Sequence, residues 1–284
     1  MWRYVPVTHN HAERYEIMLL NLFGKMKKSK AAKKGVSRGK KKYILSLVER
    51  MSCDEKPCNS DNSIRWYAYR EAERKADREW LPYLQEIIDE NKAPKQKNIR
   101  RAVYFNARAI LKKKYDADVC AFLMSALIFE QDKYILSAIL DGLAWMKSSS
   151  DMDPGIITEL SKHEKWLIRH SAIRALGSFP KEESKKALYF YLMQDDEKKY
   201  RNEIIYANAS LGKIGCEEDI PVLERHIRSR SRDIKESAKF AIGSIQERRG
   251  ASAAEPFSGD SEDVFYTPYG VVSKSKLIPV EDSD

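Results

Sequence analysis

Three stretches in the second half of the chain repeat one phrase: Ala175-Leu176-Gly177-Ser178-Phe179, Ser210-Leu211-Gly212-Lys213-Ile214 and Ala241-Ile242-Gly243-Ser244-Ile245. Each runs small, large apolar, glycine, polar, large apolar, and the copies stand 35 and 31 residues apart. A period in this range marks stacked supersecondary units that cannot cover their apolar faces alone, so the chain has to fold as an array. The frame extends backward with weaker agreement. Gly142-Leu143-Ala144-Trp145-Met146 lies 33 residues before the first phrase, and Asn106-Ala107-Arg108-Ala109-Ile110 a further 36 before that.

Eleven residues ahead of each closing apolar position stands another: Ile99, Ile135, Ile168 and Ile234, with Ile64 opening a still earlier unit. In one copy the matching residue is Glu203, and Ile204 takes the apolar role one step later. Between opener and closer, the residues at helical spacing are mostly Ala, Ser, Ile or Leu, an amphipathic stripe small enough for close helix approach. This is the second helix of each pair, and Trp145 falls within its apolar stripe. The first helices read as Leu81, Leu84, Ile87 and Ile88; Val119, Phe122, Leu123 and Leu127; Ile156, Ile157 and Leu160; Ala187, Leu188 and Leu192; and Ile220, Val222 and Leu223. Pro82, Pro154 and Pro221 sit at or near helix starts, where a missing N–H does no harm. Nothing from about 40 to 248 alternates with period two, so this body is all-α.

The run Trp166-Leu167-Ile168-Arg169-His170-Ser171-Ala172-Ile173-Arg174-Ala175-Leu176-Gly177 resembles the HEAT-repeat family, most closely its bacterial HEAT-like members. The resemblance is strong over 153–248, moderate over 80–150 and weak before that. It implies a right-handed α-α superhelix, a HEAT-like solenoid of about five to six helix pairs, with the second helices lining the concave surface. The expected organisation is an N-terminal helix with a lysine-rich loop over 1–42, the solenoid over 43–248, and an acidic tail over 249–284. As evidence of activity it says little, because scaffolds, adaptors, hydroxylases and glycosylases share such folds.

The net charge of +9 is concentrated in one place. Residues 25–42 hold ten Lys and Arg and no acid, leaving the rest of the chain at −1. Lys27, Lys28, Lys30, Lys33, Lys34, Arg38, Lys40, Lys41 and Lys42 are read as a mobile accessory arm, since Gly35, Ser37 and Gly39 disfavour continuous helix. Such an arm either contacts nucleic-acid phosphate by counterion release or is a solvated linker. From 251 on, seven acids stand against two lysines, interrupted by Val264-Phe265-Tyr266 and Leu277-Ile278-Pro279-Val280, which suggests that part of the tail docks. No apolar run is long enough for a membrane span, and no secretory leader is recognised, so the cytoplasm is the expected compartment.

Arg65, Arg100, Arg169 and Lys235 follow the apolar openers directly. The family resemblance implies that such cations pair with an acceptor in the preceding loop or neighbouring repeat, with Asp132 and Asp233 in such loops. The outward positions of the second helices are Trp66, Arg70, Arg101, Tyr104, Arg108, Asp141, His170 and Arg174, expected to face a partner. HEAT-like di-iron hydroxylases use repeated His-Glu dyads; here His170-Ser171 lacks the Glu and His163-Glu164 falls before the helix. HEAT-like glycosylases for alkylated bases set an Asp beside aromatic and Arg side chains, for which Asp141, Trp145 and Arg174 or Arg108 are a poor match. Cys53 and Cys58 alone do not make a zinc site, and free thiols are expected. The resulting expectation is a non-catalytic binding protein without metal or cofactor. A protein partner on the concave face is favoured, because the repeat surface mixes charges with aromatics. Nucleic-acid binding through 25–42, with glycosylase-like activity, is the alternative.

Overall fold

The computed structural model describes residues 38–55, 62–146, 151–253, 264–267 and 270–273. It divides into two compact units, Met1–Glu130 and Gln131–Asp284.

The first unit contains α1 (Arg38–Ser52), α2 (Ile64–Lys75), α3 (Leu81–Glu90), α4 (Lys97–Lys113) and α5 (Ala117–Phe129). Helix α1 buries Ile44, Leu47, Val48 and Met51, one face at helical spacing, and packs on α2 and α4. Ser63 starts α2 by accepting from the Trp66 amide at 3.0 Å, and Asp116 starts α5 by accepting from the Val119 amide at 3.0 Å. Pro82 lies in the first turn of α3, as its sequence position implied. Two expectations fail here. Arg38 to Lys42 are not loop but the opening of α1, anchored because Lys40 pairs with Glu79 and Lys41 pairs with Glu86 at 2.5 Å. Ile64 is 56% exposed, since it stands at the very start of α2 and the helix turns its alanines inward instead.

The second unit contains α6 (Lys133–Ala144), α7 (Gly155–Leu160), α8 (Trp166–Leu176), α9 (Glu182–Leu192), α10 (Arg201–Ile214), α11 (Ile220–Ile227) and α12 (Arg232–Ala253). The second helices form a row, α6 on α8, α8 on α10 and α10 on α12, with α7, α9 and α11 packed behind. The repeated phrase explains the spacing. A Cβ on Gly177 would meet Ser210 Cα at 3.0 Å, and one on Gly212 would meet Ala241 Cα at 2.8 Å. Each phrase thus sets its glycine against the small residue that opens the next phrase. Gly243, in the last copy, has open space where a Cβ would be. Buried hydroxyls add cross-links: Ser137 and Ser171 share a hydrogen bond of 2.9 Å, and Ser210 donates to the Ile173 carbonyl at 2.9 Å.

Both units close the exposed carbonyl ends of second helices with a cation from a later helix. Lys113 donates to the carbonyls of Arg74 and Ala76 at 2.6 and 2.9 Å, Lys213 to Ala144 at 3.2 Å, and Arg248 to Gly212 and Gly215 at 2.6 and 2.8 Å. At the opposite ends, Arg100 pairs with Glu130 at 2.9 Å while holding the carbonyl of Ala93 at 2.7 Å. Arg169 repeats the device on Glu203 at 2.7 Å and the carbonyl of His163 at 2.8 Å. Two of the four expected rungs, Arg100 and Arg169, are therefore present, with Glu130 and Glu203 as their acidic partners. Asp132 instead caps α6 by accepting from the Tyr134 and Ile135 amides, and Asp233 pairs with Arg201.

After the helical array, β1 (Val264–Thr267) and β2 (Gly270–Ser273) form an antiparallel hairpin, Val264 opposite Ser273 and Thr267 opposite Gly270. The tail segment Val264 to Tyr266 that was expected to dock is thus a strand paired within the tail; Leu277 to Val280 lie outside the described residues. Among the described residues no helix is long and apolar enough to cross a membrane.

Candidate functional site

In the second unit, α6, α8 and α10 bring side chains into one connected strip, in which Trp166 is exposed and Asp141, His170, Arg174 and Tyr206 are half-buried. Arg174 donates to Asp141 at 3.1 Å, across from α8 to α6, and its guanidinium lies 6.0 Å from the ring centroid of Tyr206 on α10. Tyr206 contacts His170 at 5.3 Å between centroids, and His170 contacts Trp166 at 5.5 Å. Three sequence-designated residues, Asp141, His170 and Arg174, meet here. Trp166, 62% exposed, and Tyr206 were missed, because their roles come from neighbours on adjacent helices and not from the repeat phrase.

Glu203 fixes this strip from beneath. It is buried, with its carboxylate 3.1 Å from His170 Nε2 and 2.7 Å from Arg169. Burial pushes its carboxyl upward, but the His170 and Arg169 hydrogen bonds outweigh burial and hold its pKa at about 2. The sequence frame had marked Glu203 only as a gap in the apolar pattern. In the structure both it and Ile204 face inward.

Trp145, expected in the core, is 46% exposed: α6 ends at Ala144, and Trp145 stands at its C-cap, past the last helical turn that would have turned it inward. Tyr134, 57% exposed, lies at the other end of the same helix. The strip thus mixes aromatic faces with one carboxylate and one guanidinium held in fixed geometry. It is built for stacking and directional hydrogen bonding.

In the first unit, Trp66 and Arg70 are exposed on α2, with the Arg70 guanidinium 5.4 Å from the Trp66 ring and 2.7 Å from Glu73. Arg101 is exposed and Arg108 half-buried on α4, the latter 6.0 Å from the Phe105 ring. Tyr104 does not join them. It is 5% exposed and packs on Phe122, 5.8 Å between centroids, because its position on α4 points to α5. Burial also raises its hydroxyl pKa. Of the basic arm, Lys27, Lys28, Lys30, Lys33 and Lys34 lie outside the described residues. Lys42 is exposed on α1. Cys53, Cys120 and Cys216 are free thiols, and Cys58 lies outside the described residues.

The family model for HEAT repeats matches residues 154–243. Residues 154–243 are HEAT repeats. They take in α7 through most of α12, where the phrase recurs three times, and the all-α array is of the HEAT-like solenoid class. Among curated proteins no relative matches. A solved chain described as "Lipid-protein interactions in lipovitellin" is 18% identical, with a TM-score of 0.48, covering 78% of this chain and 24% of that one. A crystal structure of an engineered protein is 14% identical, with a TM-score of 0.28, covering 72% of this chain and 96% of that one.

Proposed function

We propose that this chain is a non-catalytic HEAT-repeat protein that binds a protein partner through the concave, second-helix side of its second unit. The observation that supports this reading is the strip Trp166, His170, Tyr206, Arg174 and Asp141, in which a carboxylate and a guanidinium are ordered among aromatic rings. Interfaces between proteins are centred on such aromatic and arginine anchors, and mixed charge suits a polypeptide better than a polyanion. The Asp141 carboxylate is engaged by Arg174, which supports a recognition role over a catalytic one.

The test is affinity capture from a lysate, identification of the partner, and titration of the purified pair. Trp166→Ala, Tyr206→Ala and Arg174→Ala are each expected to weaken binding by about 2 kcal/mol, roughly 30-fold, as hot-spot truncations do. Excision of residues 25–37 is expected to leave that affinity unchanged. Binding indifferent to all three substitutions rules the strip out. Base release from alkylated DNA by the wild-type protein, lost in Asp141→Asn, would establish the glycosylase-like alternative instead.

A further inference from the structure

We propose, resting on the protein-binding role given to the strip of the second unit, that Lys213 and Arg174 form a carboxylate subsite at one end of it, which takes an Asp or Glu side chain of the partner. Both cations reach from later helices onto the C-terminal turn of α6. Arg174 donates from α8 to Asp141 at 3.1 Å, and Lys213 donates from α10 to the Ala144 carbonyl at 3.2 Å. Asp141 and Ala144 are three residues apart and so are neighbours on the surface of α6. Lys213 follows Tyr206 by seven residues, two turns along one face of α10, and the Tyr206 ring is the one beside the Arg174 guanidinium. The aromatic strip therefore runs directly into the two cations. Lys213 stays open to solvent as a residue, while the packing around its ammonium, and after it the charge of Arg174, hold its pKa below the usual ammonium value.

Among the described residues Asp141 is the only carboxylate that pairs with either cation, and it does so through one nitrogen of Arg174. Two cations against one carboxylate leave a positive charge in excess, and donors are left over with it. The Nε and Nη2 groups of Arg174 make no hydrogen bond among the described residues, and that edge of a guanidinium is a fork matched to the two oxygens of a carboxylate. Lys113 and Arg248 close helix ends by holding two carbonyls each, whereas Lys213 holds one and keeps two N–H groups for another acceptor. One singly charged anion completes the set; a phosphate dianion would overfill it beside Asp141. Trp166 marks the other end of the strip. It stands eight residues before Arg174 on α8, a distance of about 12 Å at 1.5 Å per residue. An extended peptide covers that span in about three to four residues. The partner segment therefore carries its acidic residue three or four positions from an aromatic or large aliphatic one that packs on Trp166.

The experiment is selection of random dodecapeptides displayed on phage against the full chain, with counter-selection against Lys213→Gln. Counter-selection discards acidic peptides held only by the lysines of residues 25–42, and peptides tethered by their C-termini can offer only side-chain carboxylates. Glutamine keeps a donor for the Ala144 carbonyl, so the variant should melt with the wild type. The surviving peptides are expected to share an Asp or Glu at the stated spacing from an aromatic or large aliphatic residue. Replacing that acid by its amide in a synthetic survivor should weaken binding to the wild type about 10-fold, as loss of a hydrogen bond to a charged group does, with no further loss in Lys213→Gln and full binding kept in Lys213→Arg. Survivors that need Trp166, tested with Trp166→Ala, but share no acid overturn the carboxylate subsite and leave the protein-binding role of the strip standing. Survivors that bind Trp166→Ala undiminished overturn both. The subsite is also overturned if no peptide survives counter-selection, or if oligo-dT displaces the peptide with an affinity that falls in Lys213→Gln, which would assign the two cations to phosphate.

Discussion

Glu203 stands in the first turn of α10 with its carboxylate between Arg169 and His170, and its ionisation is coupled to folding. Its folded pKa of about 2 lies below the ordinary carboxylate value of about 4.5, so its contribution is complete above the unfolded pKa. That contribution disappears as pH falls from about 4.5 to about 2. The shift corresponds to about 3 kcal/mol. Denaturant titrations across this window are therefore expected to show the stability gap between wild type and Glu203→Gln closing by about that amount; a constant gap would mean that Glu203 is not selectively stabilised as the anion. The same reasoning ranks the arginines. Arg100 and Glu130 have side chains only 12% and 4% exposed, and removing the cation takes the ion-pair partner from a buried carboxylate. Arg100→Ala is expected to cost about 3–5 kcal/mol. Arg201 and Asp233 are 54% and 41% exposed, and Arg201→Ala should cost less than about 1 kcal/mol. Equal losses in thermal unfolding would refute the ranking. Helical spacing singled out Asp141, His170 and Arg174 in the sequence, but it did not show that neighbouring helices leave them half-buried. Glu203 stayed hidden because its partners come from a different repeat, and Tyr104 was misplaced because the wheel does not reveal that α5 covers that side of α4.

At the level of elements, the glycine phrase was the most legible feature, and its physical cause is helix approach. Gly177 and Gly212 each face the opening small residue of the next copy, while Gly243 faces nothing. A methyl on Gly212 would gain about 1 kcal/mol of helix propensity and at the same time force the Ala241 backbone away from 2.8 Å. Overpacking of this kind costs typically 1–3 kcal/mol, more where the obstacle is backbone. Gly212→Ala is therefore expected to lower stability by about 1–2 kcal/mol, whereas Gly243→Ala, in open space within α12, should raise it by about 0.5–1 kcal/mol. Opposite signs in paired melting experiments are the expected result; two losses of equal size would remove the packing explanation. Ile135, Ile168 and Ile234 opened their helices as read and are buried. The earlier frame held less well, since Ile64 begins α2 on its outer side and Trp145 follows the end of α6. Periodicity locates a helix more surely than it locates the helix's ends, where the inward and outward faces change over.

For the molecule as a whole, the cationic run crosses the start of α1. Of the ten cations in residues 25–42, six lysines precede α1, whereas Arg38, Lys40, Lys41 and Lys42 belong to it. Composition could not draw that line, because glycine and lysine suggest a loop until Glu79 and Glu86 supply partners for Lys40 and Lys41. Two excisions separate the parts. Removing residues 25–37 takes away six positive charges and none of the described packing, so the melting temperature should stay within about 1 °C of wild type. Removing residues 25–42 also takes the opening turn of α1, shortening a 15-residue helix that carries Ile44, Leu47, Val48 and Met51 into the core. The two exposed ion pairs are worth little each, about 0–1 kcal/mol. Losing the opening turn adds fraying next to Ile44, so the larger excision is expected to lower the melting temperature by several degrees. Equal melting temperatures for the two excised chains would show that α1 is stable without its basic first turn and that residues 38–42 belong functionally with the lysines before them.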